Sequence, residues 1–361
     1  MMNERIVKTT LKGAAIGGGT FLVADLIGQV LSMRQAGYEV TWDNLKAHYQ
    51  TNQALNHAIL GVCLGGSAGF LGSVLAYENN AGSQRFNQND FLDEILVKSK
   101  LDLKNKLTRF DLAAVQKVCD FLSIALASKL IGKPIRTGSV AKRTAVNSVS
   151  DYDVAFVVKP GSGTMEQLHE LFFDTLREKF EGPGCTVRQQ NYTVGVLVDR
   201  PDGTLLRVDV MPTRGRDNYA ETGDLTIWSQ RNRKHQKTNV GKHNQLPVGQ
   251  PQVRDAIRLL KTYKLANNLN LPTALINQIV PMALKKRGGQ SSRAANLRFC
   301  MEYLADKLSN QTVQDVANGN NNLMASLSER SKYRLRARLL DDLERWNENP
   351  PFLMTMFADM D

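Results

Sequence analysis

Cysteine and histidine, the residues that build disulfide frameworks and zinc sites, are scarce in this sequence. Its 361 residues include 4 cysteines and 5 histidines. The cysteines lie far apart in the chain, at Cys63, Cys119, Cys185 and Cys300. None of them forms a Cys-x-x-Cys pair, and His235 and His243 are isolated from other candidate ligands. The sequence therefore indicates neither a disulfide framework nor a zinc site, and free thiols in a reducing compartment are the simplest interpretation.

Acidic residues are outnumbered by basic ones. The chain has 46 Lys and Arg against 35 Asp and Glu, a net charge of +11 and a pI near 9.5. Such a balance is typical of proteins whose ligands are polyanions: nucleoside triphosphates, an oligonucleotide, RNA or an anionic membrane surface. Charge alone does not choose among these ligands.

Charge is nearly absent from two glycine-rich stretches near the N-terminus. Residues 13–33 carry one charge, Asp25, and residues 58–77 carry none; each is about the 20 residues that a transmembrane helix requires. Gly61, Gly65 and Gly69 recur every fourth residue, a spacing that lets helices approach closely in lipid. We therefore predict a transmembrane helical hairpin over 1–78. The alternative is a soluble glycine-rich hairpin or oligomerisation element, since Asp25 would be costly facing lipid.

Basic residues before the first stretch predict its orientation. Arg5, Lys8 and Lys12 outnumber the single acid Glu4, which keeps the N-terminus in the cytoplasm. Two crossings return the chain to the same side. The expected location is the inner membrane with the rest of the protein in the cytoplasm, and the alternative location is the cytoplasm.

Three aspartates form the most informative pattern in the chain. Asp151 and Asp153 are separated by one residue, so an extended strand projects both from one face. Asp209 lies in a later β-rich run that alternates polar and apolar residues and forms a hairpin with the run before it. Carboxylates gathered in this way repel unless a cation lies between them. Mg²⁺ prefers carboxylates and phosphate oxygens, and in-line displacement at phosphorus uses two such ions about 3.5 to 4 Å apart. The metal ligands expected are Asp151, Asp153 and Asp209, with Mn²⁺ as an alternative metal.

A Gly-Ser turn precedes the aspartates. Gly138 leaves room for close backbone approach, and the Ser139 hydroxyl can donate to the phosphates of a nucleotide. An ordinary strand-to-helix turn is the alternative. Lys142 and Arg143, just beyond it, could reach phosphate or be solvated, and the sequence does not separate these possibilities.

Two helices are predicted around this motif. Thr108 with Asp111 three residues later has the pattern of a capping box, and so has Thr164 with Gln167. Apolar residues follow both at helical spacing. His169 in the second helix is expected at the surface.

Four blocks carry a resemblance to a known family. They are 138–145 around the Gly-Ser turn, 150–153 with Asp151 and Asp153, 207–212 with Asp209, and 253–261 ending at Lys261. In this order they resemble the polymerase-β-like nucleotidyltransferase superfamily and, within it, the bacterial relatives of cyclic GMP-AMP synthase and oligoadenylate synthetase called CD-NTases. The resemblance covers roughly 111–280, about half of the chain.

The resemblance implies further substrate contacts. In the family the lysine of the fourth block meets the triphosphate, and Lys261 matches it; Lys264 is a weaker candidate. A Pro-Ser followed by a Glu in the family is similar to Pro272-Thr273 followed by Asn277 here. Thr273 can still hydrogen-bond phosphate. The missing acid puts in doubt the acceptor-nucleotide contact that it provides.

The implied fold class is α+β with two lobes. We expect the helical hairpin over 1–78, a linker over 79–89, a nucleotidyltransferase lobe with a mixed sheet and flanking helices over 90–215, and a helical lobe over 216–361.

The implied activity is Mg²⁺-dependent joining of nucleoside triphosphates, ATP among them, into a cyclic or short linear oligonucleotide second messenger with release of pyrophosphate. The resemblance places this product in antiphage defence signalling, where it acts on a downstream effector protein. One alternative is nucleotidyl transfer onto RNA or protein, as in tRNA-modifying or toxin relatives of the fold. Another is a membrane scaffold or pore element with a non-catalytic nucleotide-sensing domain.

Overall fold

A computed structural model describes most of the chain beyond the N-terminal segments. The described ranges are 86–102, 104–146, 151–288, 292–309 and 311–358, together with two short paired strands nearer the N-terminus. The contacts divide the chain into two compact units, residues 88–350 and residues 1–87 with 351–361.

The smaller unit contains one described pair of strands. β1 (Ile16–Gly17) pairs antiparallel with β2 (Leu64–Gly65). The prediction of helix is wrong at these four residues, where glycine, a poor helix former by about 1 kcal/mol against alanine, supplies half of the positions. The rest of 13–33 and 58–77, and most of the predicted linker, lie outside the described residues. Within the described part, no helix combines the length and hydrophobicity needed to cross a membrane.

The larger unit is organised by a seven-stranded mixed sheet. Its strands lie in the order β3-β4-β7-β6-β5, with β8 pairing β7 and β9 pairing β8. The strand bounds are β3 (Ile135–Thr137), β4 (Tyr152–Val158), β5 (Cys185–Gln189), β6 (Val194–Asp199), β7 (Leu205–Gly215), β8 (Leu225–Ser229) and β9 (Lys234–Thr238). β4 and β7 are parallel, and the other pairs in the sheet are antiparallel. The sheet thus continues beyond residue 215, where the sequence predicts the change of lobe.

Helices surround this sheet and form the C-terminal part of the unit. Their bounds are α1 (Gln88–Lys98), α2 (Lys106–Ala125), α3 (Gly138–Ala141), α4 (Met165–Phe180), α5 (Tyr219–Thr222), α6 (Val240–Gln245), α7 (Pro251–Ala266), α8 (Thr273–Arg287), α9 (Arg293–Lys307) and α10 (Glu329–Glu348). A short 3₁₀ helix spans Leu323–Ser326, and a small hairpin joins β10 (Gln314–Asp315) to β11 (Asn318–Asn322). A second 3₁₀ helix, Pro350–Phe357, belongs to the smaller unit in all but its first residue. Helices α7, α8, α9 and α10 pack in succession, and α1 joins them.

The two faces of the sheet have different roles. Tyr152, Val154 and Phe156 of β4 point into a core that α2 and α4 cover with residues such as Leu122 and Phe172. Side chains alternate along a strand, so Asp153 and Ala155 lie on the opposite face. That face has a smaller core of its own, in which Val240 of α6 packs with Ala155 and Val157, and the aspartates lie at the start of β4 beside it.

The helix N-termini around this core confirm one of the two predicted capping boxes. The capping box of Thr164 and Gln167 is confirmed. The predicted start at Thr108 is wrong, because the Asn105 side chain accepts from the Leu107 amide and the helix begins at Lys106. The surface prediction for His169 is also wrong, since this residue is 1% exposed beneath β6.

Two buried acids are neutralised by neighbouring side chains. Asp111 accepts two hydrogen bonds of 2.8 Å from Arg200. Asp342 accepts from Tyr263 at 2.6 Å and from Arg338 at 2.8 Å. Each acid therefore meets a charged partner inside the fold, and Asp111 contributes to structure rather than to a helix cap.

Candidate active site

The parallel pairing of β4 with β7 brings two of the predicted acids together. Asp153 is the register partner of Asp209, and Asp151 directly precedes β4. Parallel neighbours in register project their side chains from the same face of a sheet. The strand order, which joins residues 56 apart in sequence, thus builds the acidic cluster.

The Gly-Ser turn lies directly against this cluster. Gly138 has φ +71°, and a Cβ atom added there would overlap the carboxylate of Asp153. Only glycine satisfies both the left-handed backbone and the close approach. Ser139 follows in α3 and is half-buried. The turn therefore sits within reach of whatever the carboxylates bind.

Burial and mutual repulsion disfavour the charged form of these acids. Burial, then the charges of Asp209 and Asp151, raises the pKa of Asp153 to about 7. Burial, then Asp151, raises the pKa of Asp209, and burial raises the pKa of Asp151. Among the described residues, no ion pair includes any of the three. Cations do lie nearby without pairing with the acids: Arg188 and Arg207 favour the charged forms of Asp151 and Asp209, and Lys142 and Lys261 favour that of Asp153.

The chemistry of this donor set suits a divalent cation, although the side chains do not converge on one point. In the part of the chain that the structure describes, no group of three or more Asp, Glu, His or Cys side chains is close enough to hold a metal ion. The three half-buried carboxylates are hard oxygen donors, which suit Mg²⁺ or Mn²⁺. Asp151, Asp153 and Asp209 would hold such an ion.

Two lysines border the cluster on the side of the Gly-Ser turn. Lys261 is 6% exposed, and its ammonium donates to the Thr144 carbonyl at 2.9 Å. Burial and the nearby charge of Lys142 lower the pKa of Lys261 to about 7, with Asp153 opposing the shift. Burial also lowers the pKa of Lys142, against the attraction of Asp153 and Asp315. Lys142 is thus half-buried and attracted by Asp153, and its contact with phosphate stays a prediction.

The other predicted substrate contacts lie differently. Lys264 is half-buried, and its charge lowers the pKa of Lys261. Thr273 is the exposed first residue of α8, and among the described residues no hydrogen bond joins it to the acids. Asn277, which stands where the family has an acid, is buried, and its Oδ1 has no hydrogen-bond partner in the described part. Lys142 and Lys261 thus lie near Asp153. In the part of the chain that the structure describes, no hydrogen bond links Thr273 to the acids.

Residues that the motifs did not single out also reach the site. Gln190 donates from Nε2 to Asp209 Oδ1 at 2.9 Å. His243 of α6 contacts Asp315 at 3.3 Å, and Asp315 in turn attracts Lys142. No local pattern marks these residues, because each gains its role from a partner distant in sequence.

Solved structures of other proteins share this architecture. No family model matches the sequence, and no curated protein matches it. Among solved structures, E. coli MS115-1 CdnC with ATP superposes with a TM-score of 0.58 at 19% identity, covering 75% of this chain and 98% of that one. The CD-NTase CdnG of Bradyrhizobium diazoefficiens in complex with GTP gives 0.59 at 14% identity, covering 74% and 94%.

A third solved structure superposes on the chain to a similar extent. The Elizabethkingia meningoseptica CdnE cyclic dinucleotide synthase with GTP and Apcpp gives a TM-score of 0.54 at 15% identity, covering 73% of this chain and 99% of that one. The chain has the CD-NTase fold. The family resemblance predicted from the sequence is confirmed at this level. The CD-NTase fold accounts for the mixed sheet with flanking helices. The N-terminal helical hairpin stays a prediction only outside the four residues of β1 and β2.

Proposed function

We propose that this protein is a metal-dependent nucleotidyltransferase that joins nucleoside triphosphates into a cyclic or short linear oligonucleotide. The observation that carries the proposal is the register of Asp153 with Asp209 beside the close-packed Gly138. Only a turn without a side chain allows a phosphate and a carboxylate ligand to share so small a space. The nucleotide-bound structures of the same fold support this assignment.

Each residue has a role that its position supports. Lys261 and Lys142 bind the triphosphate of the donor, with Ser139 donating a hydrogen bond to it. Asp151, Asp153 and Asp209 would hold Mg²⁺ or Mn²⁺, which supplies positive charge at the reacting phosphate and lowers the pKa of the attacking ribose hydroxyl. Asp209 would accept the proton of that hydroxyl as the new bond to phosphorus forms.

The transfer takes place as one displacement at the α-phosphorus of the donor. The ribose hydroxyl oxygen of the acceptor forms a bond to the α-phosphorus of the donor. The bond from that phosphorus to the bridging oxygen of the β-phosphate breaks, and pyrophosphate leaves. A second transfer within a linear product closes a ring. Positioning and neutralised charge, rather than covalent chemistry by the protein, provide the acceleration.

The biological role follows the resemblance to CD-NTases. We propose that the product is a second messenger that acts on an effector protein in antiphage defence. The N-terminal segments 13–33 and 58–77 would tether the enzyme to the inner membrane with its active site in the cytoplasm. Carbonate extraction of membranes tests the tether, and recovery of the protein in the soluble fraction would contradict it.

Product analysis tests the activity. The purified full-length protein is incubated with Mg²⁺ or Mn²⁺ and each of four labelled triphosphates, treated with phosphatase and analysed by mass spectrometry. Small phosphatase-resistant products are expected, and the Asp151→Ala, Asp153→Ala double variant should form none. Label on added RNA or on protein would instead support macromolecular transfer. Turnover by neither route would contradict the proposal.

A further inference from the structure

A glutamine outside the predicted motifs contacts one of the three acids. Gln190 follows β5 and lies in the turn that leads to β6. Its side-chain Nε2 donates to Oδ1 of Asp209 at 2.9 Å. This bond lowers the pKa of Asp209, opposing the larger rise caused by burial. The amide therefore favours the charged form of that carboxylate.

A glycine makes room for this contact. Gly195 on β6 is the register partner of Asp209 on β7. A Cβ atom there would overlap Gln190 Nε2 and lie 3.4 Å from Asp209 Oδ1. Gly195 sits in a regular strand where other residues fit the backbone, so the space for the amide is what requires glycine.

The turn that carries Gln190 is held in place from behind. The backbone amide of Gln190 donates to the Thr193 carbonyl at 2.9 Å, and its Oε1 accepts from the Thr193 hydroxyl at 3.0 Å. Buried His169 approaches the same Thr193 carbonyl with Nε2 at 3.2 Å, and because a carbonyl only accepts, Nε2 carries the proton. His169 Nδ1 then accepts from Gln230 at 2.9 Å.

We propose that Gln190 is a positioning residue for Asp209, an inference that rests on the proposed function. Its amide occupies Oδ1 and leaves Oδ2 for a divalent cation. An amide carries no charge, so it orients the carboxylate without cancelling the negative charge that attracts the cation. A cationic donor in the same place would compete with the metal, as Arg200 does for any ligand of Asp111. Outer partners of this type orient metal-binding carboxylates.

Metal binding without turnover tests the role of Gln190. Free Mn²⁺ is measured by electron paramagnetic resonance during titration of the full-length protein. Gln190→Ala should weaken Mn²⁺ binding about 10- to 100-fold, the range found when such outer partners are removed. Gln189→Ala, the same change at the exposed neighbouring glutamine, should leave affinity unchanged. In turnover assays Gln190→Ala should lower kcat and change KM for the triphosphate little.

Gly195→Ala provides a second, independent variant. Its new methyl group meets the movable end of Gln190, so the protein should fold with nearly wild-type thermal stability while the amide is displaced from Asp209. Its Mn²⁺ affinity should fall by about the same factor as in Gln190→Ala. In the double variant the two losses should not add, because both remove one contact.

The outcomes separate this inference from the proposed function. Wild-type protein that binds Mn²⁺, together with Gln190→Ala and Gly195→Ala variants that bind it within twofold of wild type, would overturn the positioning role and leave the function standing. Wild-type protein that binds no Mn²⁺ would overturn both. Additive losses in the double variant would also contradict a shared contact.

Discussion

Carboxylates withdrawn wholly or partly from solvent in this protein fall into two groups that differ in what neutralises them. Asp111 and Asp342 lie 4% and 1% exposed, and each accepts from an arginine within 2.8 Å. Asp153 and Asp209 are half-buried, and among the described residues no ion pair includes either. Taking a charge partly out of water without a partner costs free energy, so such an arrangement persists where something offsets it.

The difference separates structure from function within one sheet. Arg200 completes the charge of Asp111 inside the protein and leaves nothing for a ligand to bind. Asp153 of β4 and Asp209 of β7 have no such ion-pair partner among the described residues. They lie on the face of the sheet that α2 and α4 do not cover. Their affinity for an outside cation is therefore built from the same desolvation that raises their pKa values. A substitution in one group of carboxylates can therefore be compared with a substitution in the other.

The largest effect is expected at Asp153. Asp153→Asn should lower nucleotidyl transfer by at least about 1000-fold, because a metal ligand supplies several kcal/mol of transition-state stabilisation. The melting temperature should stay the same or rise, since one of three repelling charges is gone. Product formation and thermal melts measure both. Asp199→Asn, at an exposed acid of β6, is the control, and a large loss of stability in Asp153→Asn would place Asp153 in the structural group.

Asp111 should show the opposite pattern. Asp111→Ala leaves Arg200 buried without its carboxylate and should cost about 3 to 5 kcal/mol of the free energy of unfolding, while the folded fraction keeps its transfer rate. Urea unfolding measures the cost. Asp174→Ala removes an exposed partner of Arg177 and should cost under about 1 kcal/mol. Equal costs for the two variants would refute the contrast.

A smaller effect is expected on the basic side of the cluster. Lys261→Met should weaken binding of a non-hydrolysable triphosphate about 10- to 100-fold, the equivalent of one charge-assisted hydrogen bond of about 1.5 to 3 kcal/mol. Isothermal titration calorimetry measures it. Lys264→Met should change affinity less, because Lys264 is less buried and its charge, unlike that of Lys261, does not shift the pKa of Asp153. A larger loss at Lys264 would reverse the assignment.

The smallest effect concerns pH. Folding raises the pKa of the Asp153 carboxyl from 3.8 to about 7. Between pH 3.8 and pH 7 the folded protein therefore binds this proton more tightly than the unfolded protein does. Its stabilising contribution is therefore complete at low pH and declines as pH rises towards 7. Without divalent ions, the melting temperature should fall by a few degrees from pH 5 to pH 8, and the fall should be shallower in Asp153→Asn. Parallel profiles for the two proteins would contradict the raised pKa.

Local patterns along the chain predicted much of this fold. The alternation in 205–211 predicted β7, and the spacing of Thr164 and Gln167 predicted the start of α4, because both are set by neighbouring residues. The same reasoning failed at Thr108, where Asn105 three residues earlier offers an equivalent cap. It also failed at His169, because burial depends on which strand covers the helix.

Composition and spacing by themselves determined which groups this chain can bring to a phosphate: aspartates one residue apart, a glycine before a serine, and an excess of basic residues. Only the tertiary structure decided that Asp209 stands beside Asp153, that Arg200 neutralises Asp111 instead, and that Gln190 reaches Asp209 through the space left by Gly195. The physical reason is that charge pairing and desolvation act over a few ångströms in space. Those distances are set by strand order and register, which join residues far apart in the sequence.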